Sequence, residues 1–351
     1  MNNIRILRFL PHYLRKKFNQ KLIVIESDDW GLERAIEVKS FDYLRKKYSD
    51  EKFTRWTCDA LETVEDLDLI FDLLGNYRDK FEFPPVITAN FITHNIDYSS
   101  ADKLKFIPLS SGFNNGSEDT RKKYSEGIKK KYIHPQLHGF SHFNLSELGK
   151  YFYTDEARES LANGFATARS TIRGNMKFLQ GELSISNEQN RINESADEFQ
   201  KAFGFRSDTI IPPTFIMDAS LINELKECGI SMLQSSNRLL NSYGKRYSVP
   251  YFRKRKGMVW SVRNARLDPH KDYGFYSDEC FDQIGKAFDN KLPAVIDMHR
   301  VNISGKYAPE YRNKTLSELR KLFDRIHRTW KDVKFLNSSE LNNLIWQQEI
   351  R

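Results

Sequence analysis

"LIVIESDDWG", residues 22–31, is a run of apolar and β-branched residues that ends on two adjacent aspartates. Its apolar half predicts a buried strand. Asp28 and Asp29 then sit side by side and repel one another, so the pair needs a physical reason. One reason is a helix N-cap ahead of a helix over 33–47, for which a single aspartate suffices. The other is a cation held between the carboxylates.

The rest of the chain repeats the strand motif. Strand-like runs are expected over 22–27, 86–92, 131–137, 208–212, 231–234, within 247–262, 292–298 and 333–336. Helical spacing is expected near 33–47, 63–76, 118–130, 155–180, 188–203, 218–228, 278–290 and 315–329, with a further helix at the end. Strands alternating with helices imply a parallel sheet with helices outside, as an open sheet or a barrel. In either form, functional groups collect at the carboxyl ends of the strands. Those ends carry Asp28 and Asp29, then His94, Asn95 and Asp97, then His138 and His142, then His299 and Arg300. Several strands thus deliver carboxylates or imidazoles to one rim.

Composition bounds the partners. Of 351 residues, 39% are apolar and 13% aromatic, enough for a full globular core. The formal net charge is +8, with 47 acidic residues among 55 basic ones, a mildly basic surface. The basic runs 129–131 and 253–256 are short and read as solvated faces rather than a phosphate track, so no nucleic-acid role is expected. Three scattered cysteines, Cys58, Cys228 and Cys280, match no metal or disulfide spacing and suit a reducing cytoplasm. No apolar run is long enough to span a membrane. Residues 1–20 form a basic extension that either packs on the domain or rests on the inner membrane surface as a peripheral contact.

The chemical signal is concentrated in "IHPQLHGFSHFN", residues 133–144. The chain has eight histidines, and His134, His138 and His142 recur here at a spacing of four. On a helical or tightly turned segment, two such imidazoles reach one ion. The spacing matches H-E-x-x-H, but Gly139 replaces its glutamate, so a base must come from elsewhere. His134, inside the strand, reads as structural. One aspartate of the pair completes a three-ligand site with open positions, and the other stands beside it as a proton acceptor. His299, after a buried strand, is suited to protonate a leaving group.

"ESDDWG", "HGFSH" and the strand-borne His299 together resemble the successive motifs of the polysaccharide deacetylase superfamily, in a bacterial subgroup associated with surface-polysaccharide biosynthesis. The resemblance implies an α/β fold of the distorted (β/α)7-barrel type in a single catalytic domain over 1–351, with 143–205 as a helical insertion covering one side of the site. It implies that Asp28 is the base, that Asp29, His138 and His142 hold a divalent metal, and that His299 is the acid. Zinc is the first choice, with cobalt, nickel or manganese as alternatives. The implied activity is hydrolysis of an N-acetyl group on an amino sugar. The substrate is then an N-acetylated saccharide, or its nucleotide- or lipid-linked precursor in the cytoplasm. Hydrolysis of another amide or an O-acetyl ester, and glycan binding without turnover, are the competing readings. The arginine that the family places two residues before a proline is absent at Ile210–Ile211–Pro212, leaving Arg206 or Arg300 to replace it. Trp30, His94, Arg206, Arg300 and Asn302 are the expected substrate-binding residues, and Trp260 with residues 272–276 the expected groove walls.

Overall fold

The computed structural model describes residues 17–47, 58–100, 103–114, 118–165, 181–237, 239–247, 249–271 and 273–349. Most of the basic extension over 1–20, up to residue 16, therefore lies outside the described residues.

Twelve strands are present among them: β1 (Leu22–Trp30), β2 (Ile87–Phe91), β3 (His94–Ile96), β4 (Phe106–Pro108), β5 (Ile133–Leu137), β6 (Thr209–Ile210), β7 (Met232–Ser235), β8 (Arg253–Arg255), β9 (Met258–Val262), β10 (Ala265–Arg266), β11 (Ala294–His299) and β12 (Lys334–Leu336). The main sheet runs β10-β11-β1-β2-β5-β6-β7-β9-β8, parallel except for the β8–β9 hairpin, with β12 on the first residues of β1. Its two ends meet in one stretch of chain. β9 pairs with β7 from Val259 to Val262, and β10 pairs with β11 at Ala265 and Arg266. Between them the Arg263 N–H donates to Ser235 O and the Asn264 N–H to Val295 O, so the handover takes two residues. Residues 258–266 thus close the circuit of parallel pairings as a single bent strand. Of the open sheet and the barrel that the alternation allows, the barrel-like α/β fold that the resemblance implies is the one observed.

The strand alternation sorts side chains into two environments. Ile23 and Ile25 of β1 face outward into the core beneath the helices, against Leu67, Ile70 and Leu74. Leu22 and Val24 face inward and join Met232, Val259 and Val295 with Leu341 and Ile345 of the last helix. Burial of each such side chain contributes roughly 1.5–3 kcal/mol. Above this apolar layer the interior becomes polar. Asn90 and Gln234 exchange hydrogen bonds of 2.8 and 2.9 Å, the Gln234 amide donates to Thr209 (2.8 Å), and the Thr209 hydroxyl donates to Gln136 (3.0 Å). Four strands are cross-linked at one level, just below the carboxyl rim.

The helices lie close to expectation, although the one expected over 315–329 begins earlier, at Pro309, and Leu145–Phe152 is an additional helix. The helix expected from 33 begins only at Val38, because β1 and its turn extend further. The helix expected over 155–180 stops at Ala162, where Asn163 and Gly164 (φ 71°) end it, and 166–180 lie outside the described residues. Residues 143–205 contribute helices Leu145–Phe152, Asp155–Ala162 and Ile192–Phe203. Among the described residues no helix is long and apolar enough to cross a membrane.

Candidate metal centre

Neighbouring residues of a regular strand point to opposite faces, so Asp28 and Asp29 could not both reach one site from an unbroken β1. The strand is bulged. Ser27 pairs with Ala89 and Trp30 with Phe91, which leaves Asp28 and Asp29 together opposite the single residue Asn90. Asp29 takes the left-handed conformation (φ 69°), an unusual state for a side-chain-bearing residue. The extra residue turns both carboxylates to the interior and returns Trp30 to the outer core. The aspartates belong to the strand and cap no helix.

Asp29 Oδ1 lies 3.3 Å from His138 Nε2 and 3.2 Å from His142 Nε2, and all three residues are buried. His138 follows β5, and its Nδ1–H donates to Ile211 O (2.9 Å), which leaves the Nε2 lone pair facing Asp29. His142 sits in a turn rather than on a helix, again with φ 69°. The donor set fits a divalent ion: ligands about 2.1 Å from a tetrahedral centre stand about 3.4 Å apart, close to the two separations found here. The charge balance agrees. Glu26, Asp28 and Asp297 share the single Arg263 guanidinium, which leaves the neighbouring buried Asp29 carboxylate with only its two imidazoles, a charge that a dication offsets. Burial alone would raise the Asp29 carboxyl, but the imidazoles outweigh it and hold it well below the usual range. Burial also opposes protonation of both histidines; the two aspartates outweigh it at His138, which is raised, and not at His142, which is lowered.

Asp28 has different partners. Its Oδ1 accepts from Arg263 Nη2 (2.6 Å) and Asn90 Nδ2 (2.9 Å), and its Oδ2 from Arg263 Nη1 (2.7 Å). Burial would raise this carboxyl too, but Arg263 outweighs it and brings it down to about 2. The same guanidinium donates to Glu26 (2.8 Å) and Asp297 (2.7 Å). His299 Nε2 lies 3.8 Å from Asp28 Oδ2, and its Nδ1 lies 4.0 Å from Asp297. Asp28, Asp297 and His299 are close enough to suggest a second metal site, but Arg263 already supplies the cation between the two carboxylates. Arg263 is therefore the arginine beside Asp28, in place of Arg206 or Arg300. It follows the buried strand "MVWSV", so the strand-end rule that picked out the other rim residues also reaches it.

The turn after β5 is held from beneath. Glu182, buried ahead of helix Ile192–Phe203, accepts the N–H groups of Phe140, Ser141 (3.1 Å) and His142 (2.8 Å). Burial raises its carboxyl to about 7 despite these three donors. Gly139 has φ 104°, and a Cβ there would fall 2.6 Å from Glu182 Oε1. Glu182 has no motif of its own in the sequence; the glycine of "HGFSH" is its one local trace.

The remaining expected residues are placed elsewhere. Trp30 is fully buried, with its Nε1–H donating to Ser27 and its ring tilted against Phe91, so it forms no open substrate wall. Trp260 is likewise in the core. Arg300 is fully buried against Asp59 (2.9 Å) and Glu62 (3.3 Å), a pairing that leaves it structural. Burial raises both those carboxyls. Asn302 is buried beside it. His94 stacks on Phe140 with centroids 3.8 Å apart, and burial followed by the Arg191 charge lowers it to about 4. Arg206 precedes β6, at the end of the barrel away from the site, and pairs with Asp197 on the surface. Tyr273 is the exposed aromatic residue of 273–276, and Asp272 lies outside the described residues. His134 bonds Ser339 (2.9 Å) inside the fold, the structural role expected.

No family model and no curated protein matches the chain. Solved structures do. The chain is similar to the 4-alpha-glucanotransferase of Thermococcus litoralis, at 12% identity and TM-score 0.51, over 92% of this chain and 40% of that one. It thus spans well under half of that enzyme, and the likeness is one of fold. It also aligns with the peptidoglycan deacetylase PdaC of Bacillus subtilis, at 11% identity and TM-score 0.42, over 94% of each chain. A third match is the Xyl-CE4 domain of a multidomain xylanase from the hindgut metagenome of Trinervitermes trinervoides, at 9% identity and TM-score 0.43, over 94% of this chain and 92% of that one.

Proposed function

We propose that the protein is a metal-dependent hydrolase that removes N-acetyl groups from an amino-sugar-containing glycan or glycan precursor. The observation that carries this reading is the division of the aspartate pair. Asp29 stands 3.2–3.3 Å from two imidazole nitrogens, while Asp28, on the same bulge, is held by Arg263 and faces His299. Asp29, His138 and His142 would hold the ion. When bound, a divalent ion supplies Lewis acidity toward the acetyl carbonyl and lowers the pKa of water. Zinc suits the one-oxygen, two-nitrogen donor set, with cobalt, nickel or manganese as alternatives.

Asp28 is the general base. It is ionised at neutral pH, and Arg263 and Asn90 fix its orientation, so it takes a proton from the attacking water without moving. His299, across a 3.8 Å gap, delivers a proton from Nε2 to the departing amine. The N–H groups of residues 140–142 are bonded to Glu182, so they are not the donors that stabilise the tetrahedral oxyanion. The three buried free cysteines support a cytoplasmic setting, and hence a nucleotide- or lipid-linked precursor in surface-polysaccharide assembly.

The test is to load the full chain with zinc and follow acetate and free amine on a panel of N-acetylated sugars. Equal yields of acetate and amine are expected. Acetate released from O-acetylated sugars, with none from the N-acetylated ones, would instead indicate an ester substrate, and sugar binding with no metal uptake a non-catalytic protein.

A further inference from the structure

We propose that Glu182 is a positioning residue that holds the 139–142 turn ready for metal and thereby sets the affinity of the site. This rests on the metal-centre reading above. Three successive backbone N–H groups, from Phe140, Ser141 and His142, converge on one carboxylate, and both its oxygens are used. Such a run of N–H groups is an anion cradle, and here the anion belongs to the protein itself. The turn needs this support, because His142 sits in the left-handed region at φ 69°, a conformation that persists only when its surroundings enforce it. Gly139, at φ 104°, admits the carboxylate at a distance that any side chain would block.

Glu182 is braced in turn. Its carbonyl accepts from Asn187 Nδ2 (3.0 Å), and Asn187 Oδ1 accepts the N–H groups of Leu145 (3.1 Å) and Ser146 (3.3 Å) on the far side of His142. The 182–187 turn therefore grips the ligand-bearing segment on both flanks. The insertion carries a part of the metal site's support as well as a cover. Groups that orient metal ligands without touching the metal typically alter affinity about 10–100-fold when removed.

The experiment compares full-length wild type, E182A, E182Q and E318A. Glu318 is a control: it is also a buried glutamate accepting a backbone N–H (Ser277, 3.0 Å), but on the helix Pro309–Thr329, away from the site. Cobalt and zinc affinities are measured by chelator competition, with the cobalt absorption spectrum as a report on ligand geometry and circular dichroism as a report on folding. E182A is expected to bind about 10–100-fold more weakly, with an altered cobalt spectrum. Added formate should restore part of that loss by filling the vacated cradle, and should leave wild type unchanged. E318A should bind within about twofold of wild type, as expected for a group that orients no ligand. E182Q, which offers one accepting oxygen, should fall between; it carries the same comparison if E182A does not fold. Wild-type affinity in E182A or E182Q, or equal losses in E182A and E318A, would overturn the clamp alone. A wild type that takes up neither ion would overturn the metal reading and the clamp with it.

Discussion

Asp28 and Asp29 share a peptide bond and little else. Asp28 is locked by a guanidinium and an amide, with its charge already met by Arg263. Asp29 faces two imidazoles and no arginine or lysine within bonding distance among the described residues. The bulge makes this possible by placing both on one side of β1 and giving each a different neighbour across the sheet. On the proposed function, this contrast gives chemically identical groups separate tasks: a fixed charge would make one carboxylate an oriented acceptor, and a pair of imidazole donors would make the other a ligand.

The largest effect should come from removing the proton-transfer groups. Asp28→Asn and His299→Ala are each expected to lower kcat/KM about 10²–10⁴-fold on an N-acetylated sugar. A variant that kept full turnover would end the division of labour. Next comes the lock itself. Arg263→Met leaves Glu26, Asp28 and Asp297 without their shared cation, and should cost about 3–5 kcal/mol in a denaturant titration at neutral pH. A loss under 1 kcal/mol would mean that Asp28 is not held as described. Asn90→Leu deletes one donor to Asp28 and breaks the ladder at Gln234, with an expected cost of about 1–3 kcal/mol. Its turnover should fall less than that of Asp28→Asn, because Arg263 remains.

A graded effect is a pH dependence beside the site, small over any one pH unit. His94 has its folded pKa lowered from 6.5 to about 4, so between these values the unfolded chain binds the proton first. Stability therefore falls as pH drops through this window, by up to about 1.4 kcal/mol per pH unit from this residue. His94→Asn should flatten that slope, as measured by denaturation at pH 4, 5, 6 and 7.

The parts legible in the sequence were those where rare residue types end strongly patterned strands. The alternation of strands and helices implied a parallel sheet with helices outside, the family resemblance chose the barrel-like form, and the rim rule led to Asp28, Asp29, His138, His142 and His299, which the fold brings together. Trp30 was misplaced for a specific reason. Side-chain parity along β1 reverses at the bulge, and nothing in "SDDWG" announces that two residues face one on the neighbouring strand. Arg300 and Asn302 follow a strand end too, but Arg300 meets Asp59 and Glu62, a partnership between distant segments that no local pattern encodes. Glu182 lay furthest from view, since its contacts with the 140–142 turn depend on the fold of residues 143–205, whose helices are defined by ordinary amphipathic spacing.

The central claim is that the two neighbouring carboxylates have different partners, and metal content tests it most directly. Asp28→Asn and Asp29→Asn, each purified as full-length protein and exposed to zinc, should differ sharply: the first retains about one equivalent per chain and the second loses it. Loss from Asp28→Asn with retention in Asp29→Asn, or equal retention in both, would contradict the account.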